Sequence, residues 1–100
     1  MIKVFISQPM RGKTPEEIQA ERIRMIGLVE ASEKDEVKVI DSYFGPEAEN
    51  WNPIECLGES IKLLAKADVA VFAPHWDEYR GCRIEHLVAE EYGVKFCEME

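Results

Sequence analysis

Two stretches of this chain carry side chains whose types and spacing suit chemistry. In Ser7-Gln8-Pro9-Met10-Arg11-Gly12-Lys13, a hydroxyl, an amide and two cations stand just before a predicted helix start. Free backbone N–H groups and the positive end of a helix dipole attract phosphate or carboxylate at such a place, and Arg11 adds a bidentate donor. The same residues also make an ordinary polar turn with a solvated arginine. They form no Walker loop, because the G-x-x-x-x-G-K-[ST] spacing is absent. In Arg80-Gly81-Cys82-Arg83-Ile84-Glu85-His86, a glycine enters a helix and Glu85 follows in its first turn or two. Residues three and four apart share a helix face, so Glu85 lies with Cys82, Val88, Ala89 and Tyr92, whereas Arg83, His86 and Glu90 form the polar stripe. A carboxylate on a mostly apolar face is partly desolvated. That raises its pKa and suits it to act as acid, base or nucleophile near neutral pH. The alternative is a glutamate that stabilises its own helix N-terminus or pairs with Arg83 or Arg11.

Further carboxylates are candidates for a second role. Asp77 and Glu78 precede the Glu85 helix, and glycosidic chemistry commonly uses two carboxyl groups; acidic residues ahead of a helix also simply suit its dipole. Asp41 ends the second predicted strand, where several nucleotide folds hold a ribose-binding acid, here without a preceding G-x-G-x-x-G. Asp68 precedes its strand and belongs to the opposite end of the sheet, in a turn or cap. Cys82 and His86 are four apart but fall on different stripes, and no fourth ligand joins them and His75 at a recognised spacing, so no metal site is expected. Tyr43, Trp51, Trp76 and Tyr79 are candidate base-stacking surfaces, with packing as the commoner use of an aromatic.

The elements that must position these groups follow from patterning. Ile2 to Ile6 is a short β-branched and aromatic run bounded by a Pro/Gly loop, a buried strand. Thr14-Pro15-Glu16-Glu17 combines an N-cap hydroxyl, Pro at the first helical position and Glu at the third, opening a helix with an apolar stripe of Ile18, Met25, Ile26 and Val29. Lys34-Asp35-Glu36 turns into a second strand of Val37, Val39 and Ile40. Residues 41 to 52 make a long loop whose Tyr43, Phe44 and Trp51 suit a wall or lid. Asn52-Pro53-Ile54-Glu55 repeats the helix-start signature, with Ile54, Leu57, Ile61 and Leu64 on one face. Val69 to Ala73 is apolar on both faces, as in a sheet covered on both sides. A helix over 82–93, ended by Gly93, and a strand over Val94 to Cys97 complete the chain. Strand and helix alternate without hairpin or repeat. The expected fold is therefore α/β, a three-layer open parallel sheet of four to five strands with helices on both faces, flavodoxin- or Rossmann-like, with right-handed crossovers. Ligands of such folds bind beyond the carboxyl ends of the strands, so the loops after Ile6, Ile40 and Ala73 should line one crevice.

Length and composition frame the function. One hundred residues suit one domain, spanning 1–100. A hydrophobic share of 46% with 32% charged residues is that of a globular chain. A net charge of −8, from 20 acidic against 12 basic residues, repels nucleic acid phosphates and argues against a nucleic acid polymer as partner. Three cysteines, odd in number and dispersed, fit reduced intracellular thiols. The N-terminal apolar run is shorter than the roughly 7 to 15 residues of a signal peptide core. No stretch reaches the roughly 20 apolar residues of a membrane helix, so a cytoplasmic protein without membrane contact is expected.

Val4-Phe5-Ile6-Ser7-Gln8-Pro9-Met10, then Ala67-Asp68-Val69-Ala70-Val71-Phe72, then Gly81-Cys82-Arg83-Ile84-Glu85-His86-Leu87-Val88-Ala89 follow the order of landmarks in one known group. Over nearly its whole length the chain resembles the nucleoside 2-deoxyribosyltransferase-like superfamily, most nearly a small bacterial and phage branch of it. Characterised members cleave the N-glycosidic bond of 2-deoxyribonucleosides or their monophosphates and pass the sugar to another base or to water. The resemblance implies Glu85 as nucleophile, a nucleoside or nucleotide as the small-molecule partner, and no cofactor. It implies that the first loop, with Ser7, Gln8, Pro9, Met10, Arg11 and Gly12, holds the sugar or phosphate end; Asp41, Gly81 and Cys82 are further candidate substrate contacts. In the active enzymes one aspartate directly follows the third strand, where this chain has Ala73-Pro74, and another stands about six residues before the nucleophile, where it has Tyr79. Asp77 or Glu78 is left to serve as the acid. Family members complete each site across a homo-oligomer, and by that analogy a dimer is expected here, with Glu98, Glu100 or a loop as the partner's contribution. The alternative is a non-catalytic nucleotide-binding or sensor domain that keeps the crevice.

Overall fold

The computed structural model describes residues 1–42 and 50–99. Alternating apolar residues and two strong helix starts produce a βαβαβαβ chain: β1 (Ile2–Ser7), α1 (Pro15–Ser32), β2 (Val37–Val39), α2 (Pro53–Leu64), β3 (Val69–Phe72), α3 (Arg80–Glu91) and β4 (Lys95–Glu98). A short 3-10 helix, Trp76–Glu78, lies between β3 and α3. All pairings are parallel, in the order β2-β1-β3-β4. This is the α/β open-sheet fold that the patterning predicts, with four strands among the described residues.

Period-2 alternation sorts the central strands onto two faces. Val4, Ile6, Val69, Val71 and Ala73 pack with Met25 and Val29 of α1. Phe5, Ala70 and Phe72 pack on the other side with Leu64 of α2 and Ala89 of α3. Each of the larger of these side chains, fully buried, contributes roughly 1.5–3 kcal/mol. The chain moves one way across the sheet through α1 and the other way through α2 and α3, so a common crossover hand requires helices on opposite faces. β1 and β3, the adjacent strands from which the chain departs in opposite directions, end in register at Ser7 and Phe72. Their carboxyl ends form the switch point at which open sheets of this kind bind ligands.

Both predicted capping boxes form. Thr14 and Asn52 accept from the amides of Glu17 and Glu55, whose carboxylates accept in return from the amides of Thr14 and Asn52. Gly93, with φ of +74°, ends α3 in the left-handed conformation that favours glycine. Asp68 lies at the opposite end of the sheet from the switch point and accepts from the Lys3 amide at 2.8 Å.

Several expectations need correction. α3 starts at Arg80 rather than residue 82, because Tyr79 already serves as its N-cap and the chain bends there out of the 3-10 helix. β4 runs Lys95–Glu98, one residue later than expected. Ile54 is 79% exposed and Tyr92 82% exposed: each sits at the end of its helix, beyond the sheet that the stripe would cover. His86 is not solvated on a polar stripe. Its ring stacks on Trp76 at 3.9 Å between centroids and 5° between planes, it also contacts Phe72 and Phe96, and its Nε2 meets Glu98 at 2.6 Å. Trp76 is thereby a packing residue. Tyr43, Phe44, Gly45, Pro46 and Glu100 lie outside the described residues.

Candidate functional site

The same alternation that builds the core aims the end of β1. Ser7 has the parity of Phe5 and meets α3, whereas Gln8 has the parity of Ile6 and meets α1. Ser7 Oγ donates to Glu85 Oε1 at 2.6 Å, with both residues buried. Glu85, in the second turn of α3, is 7% exposed. Burial pushes its carboxyl above the ordinary range, while the Ser7 and Ser60 hydroxyls act the other way by favouring the ionised form. Beside it Cys82 is a buried thiol whose pKa is pushed up to about 11, chiefly by desolvation, with a smaller contribution from the Glu85 charge. Cys82 is therefore a neutral wall group at physiological pH.

These residues line a cavity of about 370 Å³ at the carboxyl end of β1, bounded by α2 and α3. Ser7 to Met10 form one wall, and Tyr79 to Cys82 with Glu85 form another. A third comes from α2, through Pro53, Cys56, Leu57 and Ser60, a spacing of three, four and seven that places them on one helix face. The surroundings are mostly apolar, with one carboxylate held at their centre.

The structure distributes the predicted site residues unevenly. Ser7, Gln8, Pro9, Met10, Gly81, Cys82 and Glu85 come together around the cavity. Gln8 is nevertheless spent on structure: its Nε2 donates to the Ile18 carbonyl at 3.0 Å, and its Oε1 accepts from Arg22 at 3.3 Å. Arg11 and Gly12 are exposed and do not line the cavity. Arg11 stands instead in an adjoining outer depression with Glu78, Tyr79 and Arg80. Asp41 is exposed beside Arg22, whose charge it offsets, and its neighbour Ser42 reaches the cavity wall in its place.

Asp77 and Glu78 do not join Glu85. Both are exposed on the 3-10 helix, where Glu78 Oε2 meets His75 Nδ1 at 2.6 Å and the Asp77 carbonyl accepts from Arg83 at 3.2 Å. Among the described residues, no carboxylate other than Glu85 lines the cavity. Nor does an arginine pair with Glu85 among the described residues: Arg83 is taken by the Asp77 carbonyl, and Arg11 stands in the outer depression. No group of three or more His, Cys, Asp or Glu side chains is arranged to hold a metal ion among the described residues. No helix among them is long and apolar enough to cross a membrane.

Sequence reasoning missed Ser60 and Arg22. Ser60 sits three residues past Leu57 on the apolar face of α2, and a hydroxyl on such a face is a signal for a buried polar partner. Arg22, 6% exposed, stands between Ile18 and Met25 on the α1 stripe, and a guanidinium at a core position is a stronger signal of the same kind. No family model, curated protein or solved structure matches the chain.

Proposed function

We propose that this protein processes a nucleoside or nucleotide at its N-glycosidic bond, by 2-deoxyribosyl transfer or hydrolysis, with Glu85 as the nucleophile. The observation that carries this is the buried Glu85 carboxylate, fixed by the Ser7 hydroxyl at 2.6 Å and set in the wall of a cavity at the switch point of the sheet. The resemblance of the first loop and of the Gly81 to Glu85 segment to the 2-deoxyribosyltransferases supports the same chemistry.

In this mechanism a carboxylate oxygen of Glu85 attacks the anomeric carbon as the C–N bond to the base breaks, through an oxocarbenium-like transition state. The bonding electron pair leaves with the base, which takes up a proton. The resulting glycosyl ester is then attacked at the same carbon by water or a second base, and the ester C–O bond returns its electrons to Glu85. The attack requires the ionised carboxylate. Burial opposes ionisation and outweighs the Ser7 and Ser60 hydroxyls, which limit the rise and so keep the reactive form within reach. With the Asp77 and Glu78 side chains exposed outside the cavity, water delivers the proton to the departing base.

The lack, among the described residues, of a second carboxylate in the cavity favours a second reading, a non-catalytic nucleotide-binding or sensor domain. Base release from a panel of deoxynucleosides and their 5′-monophosphates separates the two. Turnover that disappears in Glu85→Ala supports the enzyme, and saturable binding without base release supports the sensor.

A further inference from the structure

We propose that Arg22 is a positioning residue for the site: from the opposite face of the sheet it clamps the residues on either side of Ser7 and so sets the direction in which the Ser7 hydroxyl meets Glu85. Three contacts fix the guanidinium. Nη1 donates to Gln8 Oε1 and to Ser42 Oγ, both at 3.3 Å, and Nη2 donates to the Ile40 carbonyl at 2.9 Å. Ser42 relays the hold to β1, its Oγ donating to the Ile6 carbonyl at 3.2 Å. Gln8 passes it back to α1 through the Ile18 carbonyl. Ser7 lies between the two clamped residues, and its own side chain, of opposite parity, emerges toward α3.

An arginine is costly at this position. Burial disfavours its charged form, and Asp41 only partly compensates from the surface. Its hydrogen-bond partners among the described residues are neutral, so what the guanidinium supplies is geometry: its planar fork reaches the ends of β1 and β2 at once, which neither an apolar side chain nor the single ammonium of lysine can do. A shift of a few tenths of an ångström at Ser7 would lengthen a buried hydrogen bond to a carboxylate, the kind most sensitive to its geometry. The groups facing Glu85 are Ser7 from β1, Ser60 from α2 and Cys82 on its own helix, with Glu21 and Lys13 acting on Cys82 from the α1 side.

The inference deepens the reading of Glu85 as the reacting group, and its test measures no turnover, so either can fail without the other. The test follows the Glu85 side-chain carboxyl by carbon NMR through a pH titration, the resonance being assigned by its loss in Glu85→Gln. Arg22→Met is predicted to move the Glu85 midpoint upward, as Ser7→Ala does, and the double variant is predicted to titrate with the Ser7→Ala single. Arg22→Lys, which keeps the charge and loses the fork, should also shift the midpoint upward. An unshifted midpoint in Arg22→Met or Arg22→Lys overturns the proposal. Additive shifts in the double variant overturn it as well, since they mark a charge acting through space rather than through Ser7. If Arg22→Met does not fold, Ser42→Ala removes only the arm to Ile6. It should raise the midpoint in the native background and leave it unmoved in Ser7→Ala; no shift in the native background, or a further shift in Ser7→Ala, overturns the proposal.

Discussion

Ser7 and Glu85 stand 78 residues apart in the chain and 2.6 Å apart in space, joined by a buried hydrogen bond from hydroxyl to carboxylate. The first strand delivers one partner and the last helix the other. The site therefore exists only when β1 and β3 are in register and α3 is docked against them. A hydrogen bond of this kind, with an ionised acceptor, is worth about twice a neutral one.

Its first consequence concerns pH dependence. Glu85 must be ionised to attack, so kcat/KM on the substrate identified by base release should rise with pH through the raised pKa of Glu85. The Ser7 hydroxyl holds that pKa down, so Ser7→Ala should move the acid limb to higher pH. A limb at the same pH in Ser7→Ala would separate the profile from Glu85.

Stability should carry the same signature with a definite sign. The folded-state pKa of Glu85 lies above its ordinary 4.5, so between the two values the native state binds more protons than the unfolded one. The stabilisation is complete below about 4.5 and is lost as pH rises through the folded pKa. Relative to Glu85→Gln, which cannot ionise, the native protein should lose stability over this interval in urea titrations at a series of pH values. A constant difference would show that Glu85 titrates normally.

Thiol reactivity offers an independent check on the cavity wall. With its pKa pushed up to about 11 from 9.0, Cys82 carries about a hundredfold less thiolate at pH 8. It is also buried, while Cys97 is exposed. Maleimide labelling of the native protein, mapped by peptide mass, should modify Cys97 well before Cys82. Equal rates would mean that the wall opens.

The two helix starts should behave alike. Thr14→Ala and Asn52→Ala each remove one side of a reciprocal capping box, and each should cost about 1 kcal/mol, with a loss of only a few tenths for the glycine variants. Denaturant unfolding measures both. An Asn52→Ala variant of unchanged stability would show that the α2 start is held by tertiary packing instead.

The sequence legibly encodes those features whose causes are local. Thr14-Pro15-x-Glu17 and Asn52-Pro53-x-Glu55 start helices through contacts within four residues, and the continuous apolar run after Asp68 announces a strand covered on both sides. From these the parallel sheet, the switch point and the meeting of the Ser7 loop with the Glu85 helix all follow. Features that depend on which surfaces meet were hidden. Asp77 and Glu78 are near Glu85 in sequence, yet the 3-10 helix leaves them outside the cavity, with Glu78 tied to His75 and the Asp77 carbonyl to Arg83. Ser60 enters the site only because α2 packs beside α3. The stacking of His86 on Trp76 joins α3 to the 3-10 helix, and no periodicity within α3 foretells it.

The most direct test of N-glycosidic chemistry at Glu85 is rapid-quench mass spectrometry of the intact protein mixed with deoxynucleosides and their 5′-monophosphates. The predicted result is release of free base together with a transient deoxyribosyl or deoxyribosyl-phosphate adduct that maps to the peptide containing Glu85, with both lost in Glu85→Gln. Base release undiminished in Glu85→Gln, or an adduct on another residue, would contradict it.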